Sequence, residues 1–190
     1  SNDLLRELEA FLSSEAWAKA VCSKFNIDDP VSIDAGLQKY LSGYEIAPHP
    51  DIRSKAATWM LNINSHPDSE KQQIHTHLMK FKDEYKYIYD LWEFNLEFDR
   101  AWIPWEWCET VKTTLANNSI ILFPPNSHSL HAVRCHYDDL SFQRTQFYGN
   151  LWYPEDKFCD LKYVTHEYLD VLTNSVDIKP YTKKRNHIAK

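Results

Sequence analysis

Residues 40–63 read YLSGYEIAPHPDIRSKAATWMLNI, and they join a short polar motif to a run of apolar residues. The run at 57–63 has the composition of a β-strand. Just before it stand His49 and Asp51, whose spacing would place both side chains on one side of a strand end. Two imidazoles and one carboxylate on one face of an ion form the iron(II) triad of non-heme oxygenases. The motif therefore predicts two of three metal ligands, although the prolines that flank His49 leave a simple turn as the alternative.

The third ligand must come from elsewhere in the chain, and His131 is the candidate. It lies within the run 129–135, which predicts a further strand. His128 competes with it for this position. Alternation along a strand would point His128 to the opposite face, so His131 is favoured.

Several short motifs follow one another in a fixed order. Tyr40 and Gly43 precede the His49–Asp51 pair, and after the apolar run come Phe123-Pro-Pro125-Asn126, Ser129-Leu-His131-Ala-Val133 and Arg144 at the start of a strand-like run. In this order of motifs the chain resembles the iron(II)/2-oxoglutarate-dependent dioxygenase superfamily, most closely its prolyl 4-hydroxylase-like branch. The resemblance covers residues 36 to 153.

The resemblance implies a ligand set and a reaction. His49, Asp51 and His131 would bind one Fe(II), with 2-oxoglutarate as co-substrate and O2 as oxidant. The activity implied is hydroxylation of a C–H bond, coupled to conversion of 2-oxoglutarate to succinate and carbon dioxide. A prolyl residue is the first substrate suggested, and a free amino acid or small metabolite is nearly as well supported.

The resemblance also implies two residues for the co-substrate. Arg144 takes the place of the family's arginine, and its planar guanidinium suits bidentate binding of the distal carboxylate. Tyr40 takes the place of a tyrosine whose hydroxyl could hydrogen-bond the same carboxylate. Arg134 is a rival for the arginine, but on a regular strand it would point away from the face that His131 occupies.

Two departures from the family pattern concern the substrate more than the metal. His75 stands where glycine is common, and we interpret His75 and His77 as strand residues that could line the substrate mouth. The segment 80–114 is long and unusually aromatic. Within it, the simplest interpretation of Trp102, Trp105 and Trp107 is that they pack in the core or at its rim. We still expect at least one ring of the segment 80–107 to lie at the cavity mouth.

The order of patterns predicts an α+β, mainly β fold. Helical spacing of Leu4, Leu5, Leu8 and Phe11 and a helix start at 13–17 predict a helix to about Phe25, with a second helix or helical turn at 32–41. Strands are predicted at 57–63, 74–81, 85–91, 119–123, 129–135 and 145–153. We therefore expect one domain over residues 1–190: helical at about 3–41, a core at about 42–153 and a helical tail at 154–190. The expected core is a double-stranded β-helix (jelly roll, cupin-like) buttressed by the N-terminal helices.

Composition narrows the class of protein. The net charge of −6 gives no electrostatic reason to expect a nucleic-acid partner. No apolar run reaches the length of a membrane span, and no signal-peptide pattern is seen. The four cysteines form no C-x-x-C pair, which suits a reducing cytoplasm. We expect a small-molecule or peptide substrate, and nothing in the sequence fixes the oligomeric state.

Two other classes of function stay open at this point. One is a non-catalytic jelly-roll binding module that retains remnants of a site. The other is a metal-dependent cupin-type enzyme that does not use 2-oxoglutarate; such enzymes use more histidine ligands and do not need Arg144. The presence of both the triad and Arg144 favours the dioxygenase.

Overall fold

A computed structural model of the chain describes residues 2–64, 66–72, 74–94, 102–125, 129–136 and 143–154. Within these ranges the α-helices are α1 (Asn2–Leu12), α2 (Glu15–Phe25) and α3 (Tyr87–Phe94). The strands are β1 (Ser32–Lys39), β2 (Glu45–His49), β3 (Lys55–Asn62), β4 (His77–Phe81), β5 (Cys108–Thr113), β6 (Ile120–Phe123), β7 (His131–Arg134) and β8 (Thr145–Trp152). The predicted helical tail beyond residue 154 and His128 lie outside the described residues.

The strands form two antiparallel sheets of four strands each, so the fold is α+β and mainly β. One sheet has the order β1-β8-β3-β6, and the other has the order β2-β7-β4-β5. Apart from the β4–β5 step, each strand belongs to the sheet opposite that of the strand before it. The chain therefore passes repeatedly between the sheets, and the strands before and after each crossing contribute residues to the same space.

The helix predicted at 32–41 is wrong, because this segment contains β1. Its residues pair with β8 without a break, from Ser32 opposite Trp152 to Lys39 opposite Thr145. Ile33 and Ala35 alternate with polar residues and pack towards the N-terminal helices, which is the period of a strand rather than a helix. The helical N-terminal part therefore ends at Phe25.

The strand predicted at 85–91 is also wrong. A 3-10 turn at Asp83–Tyr85 leads into α3. Ile88 and Trp92 are buried while Tyr87 and Leu91 are exposed, so burial repeats every four residues as in a helix. The aromatic composition of the segment favoured a strand, but the spacing of its buried residues is helical.

The remaining element predictions agree more closely with the structure. β3, β6, β7 and β8 fall within or beside the predicted runs, and β4 occupies the second half of the run 74–81. The helix start at 13–17 is confirmed, since the side chain of Ser14 caps α2 by accepting a hydrogen bond from the backbone N–H of Trp17 at 3.2 Å. β1, β2 and β5 were not predicted.

Apolar side chains lie on the outer faces of the sheets, under the helices. On the first sheet, Trp59 and Phe147 pack against Leu12 of α1, and the ring of Trp59 lies 5.8 Å from that of Trp17 in α2. On the second sheet, an apolar cluster that includes Met79, Phe81 and Leu130 is covered by Ile88 of α3 and by Ile103.

The face that the first sheet turns towards the second is largely polar. Thr58 and Asn62 of β3 alternate with the apolar residues that pack under the helices, and both are buried. Gln146 and Asn150 of β8 are buried opposite them. A polar interior of this kind needs internal hydrogen bonds, and the candidate site described below supplies many of them.

None of the described helices combines the length and the apolar composition needed to cross a membrane.

We predict that Gly149→Ala destabilises the fold by about 2 kcal/mol or more, because overpacking a tight core costs about 1–3 kcal/mol and sometimes more. A Cβ at Gly149 would clash with the Trp59 ring and lie 2.8 Å from the backbone oxygen of Asp34. Gly36→Ala is the matched control, since nothing lies within 4 Å of its Cβ position. Denaturant unfolding of both variants measures the difference. Equal stability of the two would contradict the packing described for Trp59.

Candidate metal centre

The pairing of β2 with β7 brings two histidines together. β2 ends at His49, which lies directly opposite His131, the first residue of β7. The centroids of the two imidazole rings are 4.4 Å apart. The register shifts between Ile46 and His49, where Pro48 has no N–H to give to the ladder.

Asp51 completes the cluster. Ligand atoms of His49, Asp51 and His131 all lie within 4.8 Å of one another, and all three residues are buried. The structure thus brings together the three residues that the sequence nominated. Two nitrogen donors and one oxygen donor at this spacing leave room on an ion for further ligands.

Both histidines are oriented by backbone carbonyls. The Nδ1 of His49 lies 2.8 Å from the carbonyl oxygen of Ala47, and the Nδ1 of His131 lies 2.9 Å from that of Ser129. A carbonyl can only accept, so each Nδ1 carries a proton, and in the neutral form of each ring the lone pair is on Nε2. This is the arrangement common in metal-binding histidines, where the second ring nitrogen donates to a carbonyl or carboxylate.

Asp51 is held by two residues of β3. Thr58 donates from Oγ1 to one carboxylate oxygen at 2.5 Å, and Lys55 donates from Nζ to the other at 2.8 Å. Burial acts to raise the pKa of Asp51, but the charges of His131 and Lys55 and the two hydrogen bonds together hold the pKa below its usual range. Asp51 therefore carries a negative charge at neutral pH, as a metal ligand requires.

Arg144 and Tyr40 form a second cluster. The guanidinium of Arg144 is fully buried, donates to Thr76 Oγ1 at 2.7 Å and also donates to the side-chain oxygen of Gln146. It lies 5.0 Å from the centre of the Tyr40 ring. The Tyr40 hydroxyl accepts from Gln146 Nε2 at 2.6 Å and donates to Gln38 Oε1 at 2.7 Å. Burial raises the pKa of Tyr40, so its hydroxyl keeps its proton and remains a donor.

β3 connects the two clusters. Thr58 contacts Asp51, while the sulfur of Met60 lies 4.0 Å from Nη2 of Arg144. Residues two apart on a strand share a face and are separated by about 7 Å. The triad and the arginine therefore face the same space between the sheets.

Sequence reasoning missed the polar residues that line this space. Tyr148 accepts from Lys55 Nζ at 2.9 Å and donates to Asn150 Oδ1 at 2.9 Å, and the same Asn150 oxygen lies 3.2 Å from Thr58 Oγ1. The available signal was the alternation of polar side chains along 146–150, which marks the inner face of β8.

One tryptophan lies beside a candidate ligand. Trp102 is 55% exposed, and its ring centroid is 5.0 Å from that of His49. The next residue, Ile103, donates its backbone N–H to the carbonyl of Pro48 at 2.8 Å, which fastens this segment to β2. Trp105 instead donates to Glu45 Oε1 at 2.6 Å, and Trp107 stacks on Tyr85 at 5.0 Å.

Two other described histidines and the rival arginine lie outside the triad. His75 is buried, with Nε2 at 2.8 Å from the carbonyl oxygen of Ser69. His77 packs its ring 5.5 Å from that of Trp105. Arg134 pairs with Glu45 at 2.9 Å, also beside Trp105. Arg144, and not Arg134, is therefore the arginine that faces the space between the sheets.

A cleft of about 940 Å³ lies beside the triad. Phe123 and Ser129 belong to its lining, and they contact His131 through a ring–ring distance of 4.9 Å and through the Nδ1 hydrogen bond. β4 and α3 supply most of the rest, including Leu78, Met79, Phe81, Tyr87 and Tyr89. Phe81, Tyr87 and Tyr89 of the aromatic segment 80–107 thus form part of the wall of a cleft that adjoins His131 through Phe123 and Ser129.

A buried arginine ties this wall to the triad loop. Arg53, two residues after Asp51, donates from Nη2 to the carbonyl of Trp92 in α3 at 2.6 Å. Its guanidinium carbon also lies 4.2 Å from the centre of the Trp92 ring. The end of α3 and the loop that carries Asp51 are therefore joined directly.

No family model matches the chain, and comparison with curated proteins finds no match either. The assignment of a ligand therefore depends on the site itself. Its donor set of two carbonyl-oriented imidazoles and one ionised carboxylate fits iron(II), and it would also accept other divalent transition-metal ions.

We predict that His131→Ala and Asp51→Asn each weaken the binding of one Co(II) or Fe(II) per chain by about 100-fold or more, since each removes a ligand. His136→Ala is the control, because His136 is exposed and lies outside the cluster. Anaerobic calorimetric titration measures the affinities. Wild-type affinity in either ligand variant would exclude this metal site.

Proposed function

We propose that the chain is an iron(II)- and 2-oxoglutarate-dependent dioxygenase that hydroxylates a C–H bond. One observation carries the proposal: a buried His-Asp-His cluster and a buried arginine face the same space between two sheets. A metal triad alone would fit many reactions. Arg144 contacts Met60, which lies two residues along β3 from Thr58, the residue that holds Asp51. Its guanidinium adds a binding group for the carboxylate of 2-oxoglutarate that does not chelate the metal.

We also propose that the fold is a double-stranded β-helix, or jelly roll. The strand orders β1-β8-β3-β6 and β2-β7-β4-β5 support this, because successive strands, apart from β4 and β5, alternate between two antiparallel sheets. Helices α1 and α2 pack on the outer face of the first sheet, as buttressing helices would.

The residues of the chain divide the work between two ends of the space. At one end, His49 and His131 offer Nε2 and Asp51 offers a carboxylate oxygen. At the other, Arg144 binds the C5 carboxylate of 2-oxoglutarate through two N–H donors, with Tyr40 beside it. When bound, iron(II) and 2-oxoglutarate supply the oxidising chemistry: one atom of O2 enters the substrate C–H bond, the other enters succinate, and carbon dioxide leaves.

The substrate would approach from the Trp102 side and the adjoining cleft. The lining of the cleft is mainly apolar and aromatic, which suits the apolar part of a prolyl residue, an amino acid or a small metabolite. Lys80 and Lys86 at the cleft are paired at 2.7 Å with Glu109 and Asp83, so their charges are balanced locally. Closing this space to water would protect the reaction from side products.

A non-catalytic binding module is the second candidate, and the Lys55–Asp51 ion pair favours it. An ammonium 2.8 Å from the triad carboxylate already gives Asp51 a cationic partner. In a module that binds no metal, this pair would be a structural feature of the interior. Metal titration of the unmodified protein separates the two candidates.

We predict that Arg144→Leu weakens binding of 2-oxoglutarate to the Co(II)-loaded protein by about 100-fold or more, since it removes two charge-assisted hydrogen bonds worth about 1.5–3 kcal/mol each. Metal affinity should change less than about threefold, because Arg144 is not a ligand. Arg134→Leu is the matched control. Calorimetric titration, after circular dichroism has shown native folding, gives both constants. Unchanged 2-oxoglutarate affinity in Arg144→Leu would rule out the role.

We predict that Trp102→Ala removes most of the stimulation of succinate formation by substrate and leaves the substrate-free rate unchanged. Exposed indole next to His49 offers an apolar surface that a bound substrate can cover. Trp105→Ala is the control, because its ring contacts Glu45, Arg134 and His77 instead. A panel of peptides, amino acids and small metabolites first identifies the substrate. Equal stimulation in both variants would show that Trp102 makes no substrate contact.

A further inference from the structure

Lys55 is a buried cation in direct contact with the candidate metal centre. Its side chain is 4% exposed, and its ammonium donates to Asp51 at 2.8 Å and to the Tyr148 hydroxyl at 2.9 Å. The same ammonium lies 5.6 Å from the centre of the Tyr148 ring and 5.4 Å from that of Trp152. A lysine buried to this extent needs a counter-charge, and Asp51 provides it.

The charges at this end of the space can be counted. With both imidazoles neutral, the ammonium of Lys55 cancels the carboxylate of Asp51. A divalent ion would then add two positive charges to a buried site that has no net negative charge left. A carboxylate of 2-oxoglutarate would lower that excess, so the ammonium opposes the metal ion and favours the anion.

We propose that Lys55 sets the balance between metal and co-substrate affinity: it weakens binding of the metal ion alone and strengthens binding of 2-oxoglutarate to the metal-loaded site. The inference rests on the proposed function. The predicted decrease in metal affinity is the same whether the ammonium stays bound to Asp51 or moves away when the metal ion binds. If Lys55 stays on Asp51, it repels the ion across a short distance; if it leaves, the ion must displace it.

Thr58 is the residue to compare with Lys55, because the comparison separates the effect of the Lys55 charge from the effect of holding Asp51 in place. It also holds Asp51, through a 2.5 Å hydrogen bond, but it carries no charge. Removing it should loosen the ligand and weaken metal binding. A residue that only positions Asp51 would behave in the same way, whereas a residue that acts by its charge must affect the metal ion and the anion in opposite directions.

The experiment titrates Co(II), and then 2-oxoglutarate, into the full chain carrying Lys55→Met, Lys55→Arg or Thr58→Val. We expect Lys55→Met to bind Co(II) at least about tenfold more tightly and 2-oxoglutarate at least about tenfold more weakly than wild type. Lys55→Arg, which keeps the charge, should stay close to wild type in both. Thr58→Val should bind Co(II) more weakly.

The two proposals can fail separately. Wild type that binds no Co(II) would contradict the proposed function. Wild type that binds Co(II) while Lys55→Met binds it equally or more weakly would overturn the role of Lys55 and leave the function standing. If Lys55→Met does not fold without metal, Lys55→Gln keeps a donor for Asp51 and Tyr148 without the charge, and the same opposed changes are required of it.

Discussion

The register of β2 against β7 is the constraint on which the candidate metal centre depends. His49 lies directly opposite His131, so their rings meet on one face of the second sheet. A slip of one residue would turn every side chain of β7 to the other face and send His131 into the apolar cluster. Asp51 is held from the opposite sheet, by Thr58 and Lys55 of β3. The triad therefore forms only when both sheets are in place, and the distances between its ligand atoms depend on how the two sheets pack.

The polar space between the sheets is stabilised by what lies outside them. Trp59 and Phe147 face the N-terminal helices, and Met79 and Phe81 face α3, so the main apolar burial occurs on the outer faces. This arrangement leaves the inner faces to Thr58, Gln146 and Asn150, whose hydrogen bonds are made within the space. The buried guanidinium of Arg144 donates from Nη2 to Thr76 and Gln146, and the buried ammonium of Lys55 donates to Asp51 and Tyr148, which offsets part of the cost of burying each charge.

The three candidate ligands could be nominated from the sequence because few residue types bind iron, and the motif order restricted the choice of the third to His131. Arg144 and Tyr40 were found in the same way. The sequence did not reveal Lys55, Thr58 and Tyr148 as parts of the site. Their contacts with Asp51 and with each other form only when the strands pack together. β1 was mistaken for a helix because its pairing with β8, and not its local propensity, determines its structure. α3 was mistaken for a strand because aromatic residues favour strands, while its burial repeats every four residues.

The bond from Arg53 to the carbonyl of Trp92 joins α3, which borders the cleft, to the loop that carries Asp51. α3 provides Tyr87 and Tyr89 to the cleft wall, so anything that pushes the wall outward pulls on that loop or breaks the bond. The guanidinium of Arg53 is also stacked on the indole of Trp92, so two contacts hold the loop against α3. Arg53 therefore couples the position of α3 to that of the loop that carries the candidate ligand Asp51.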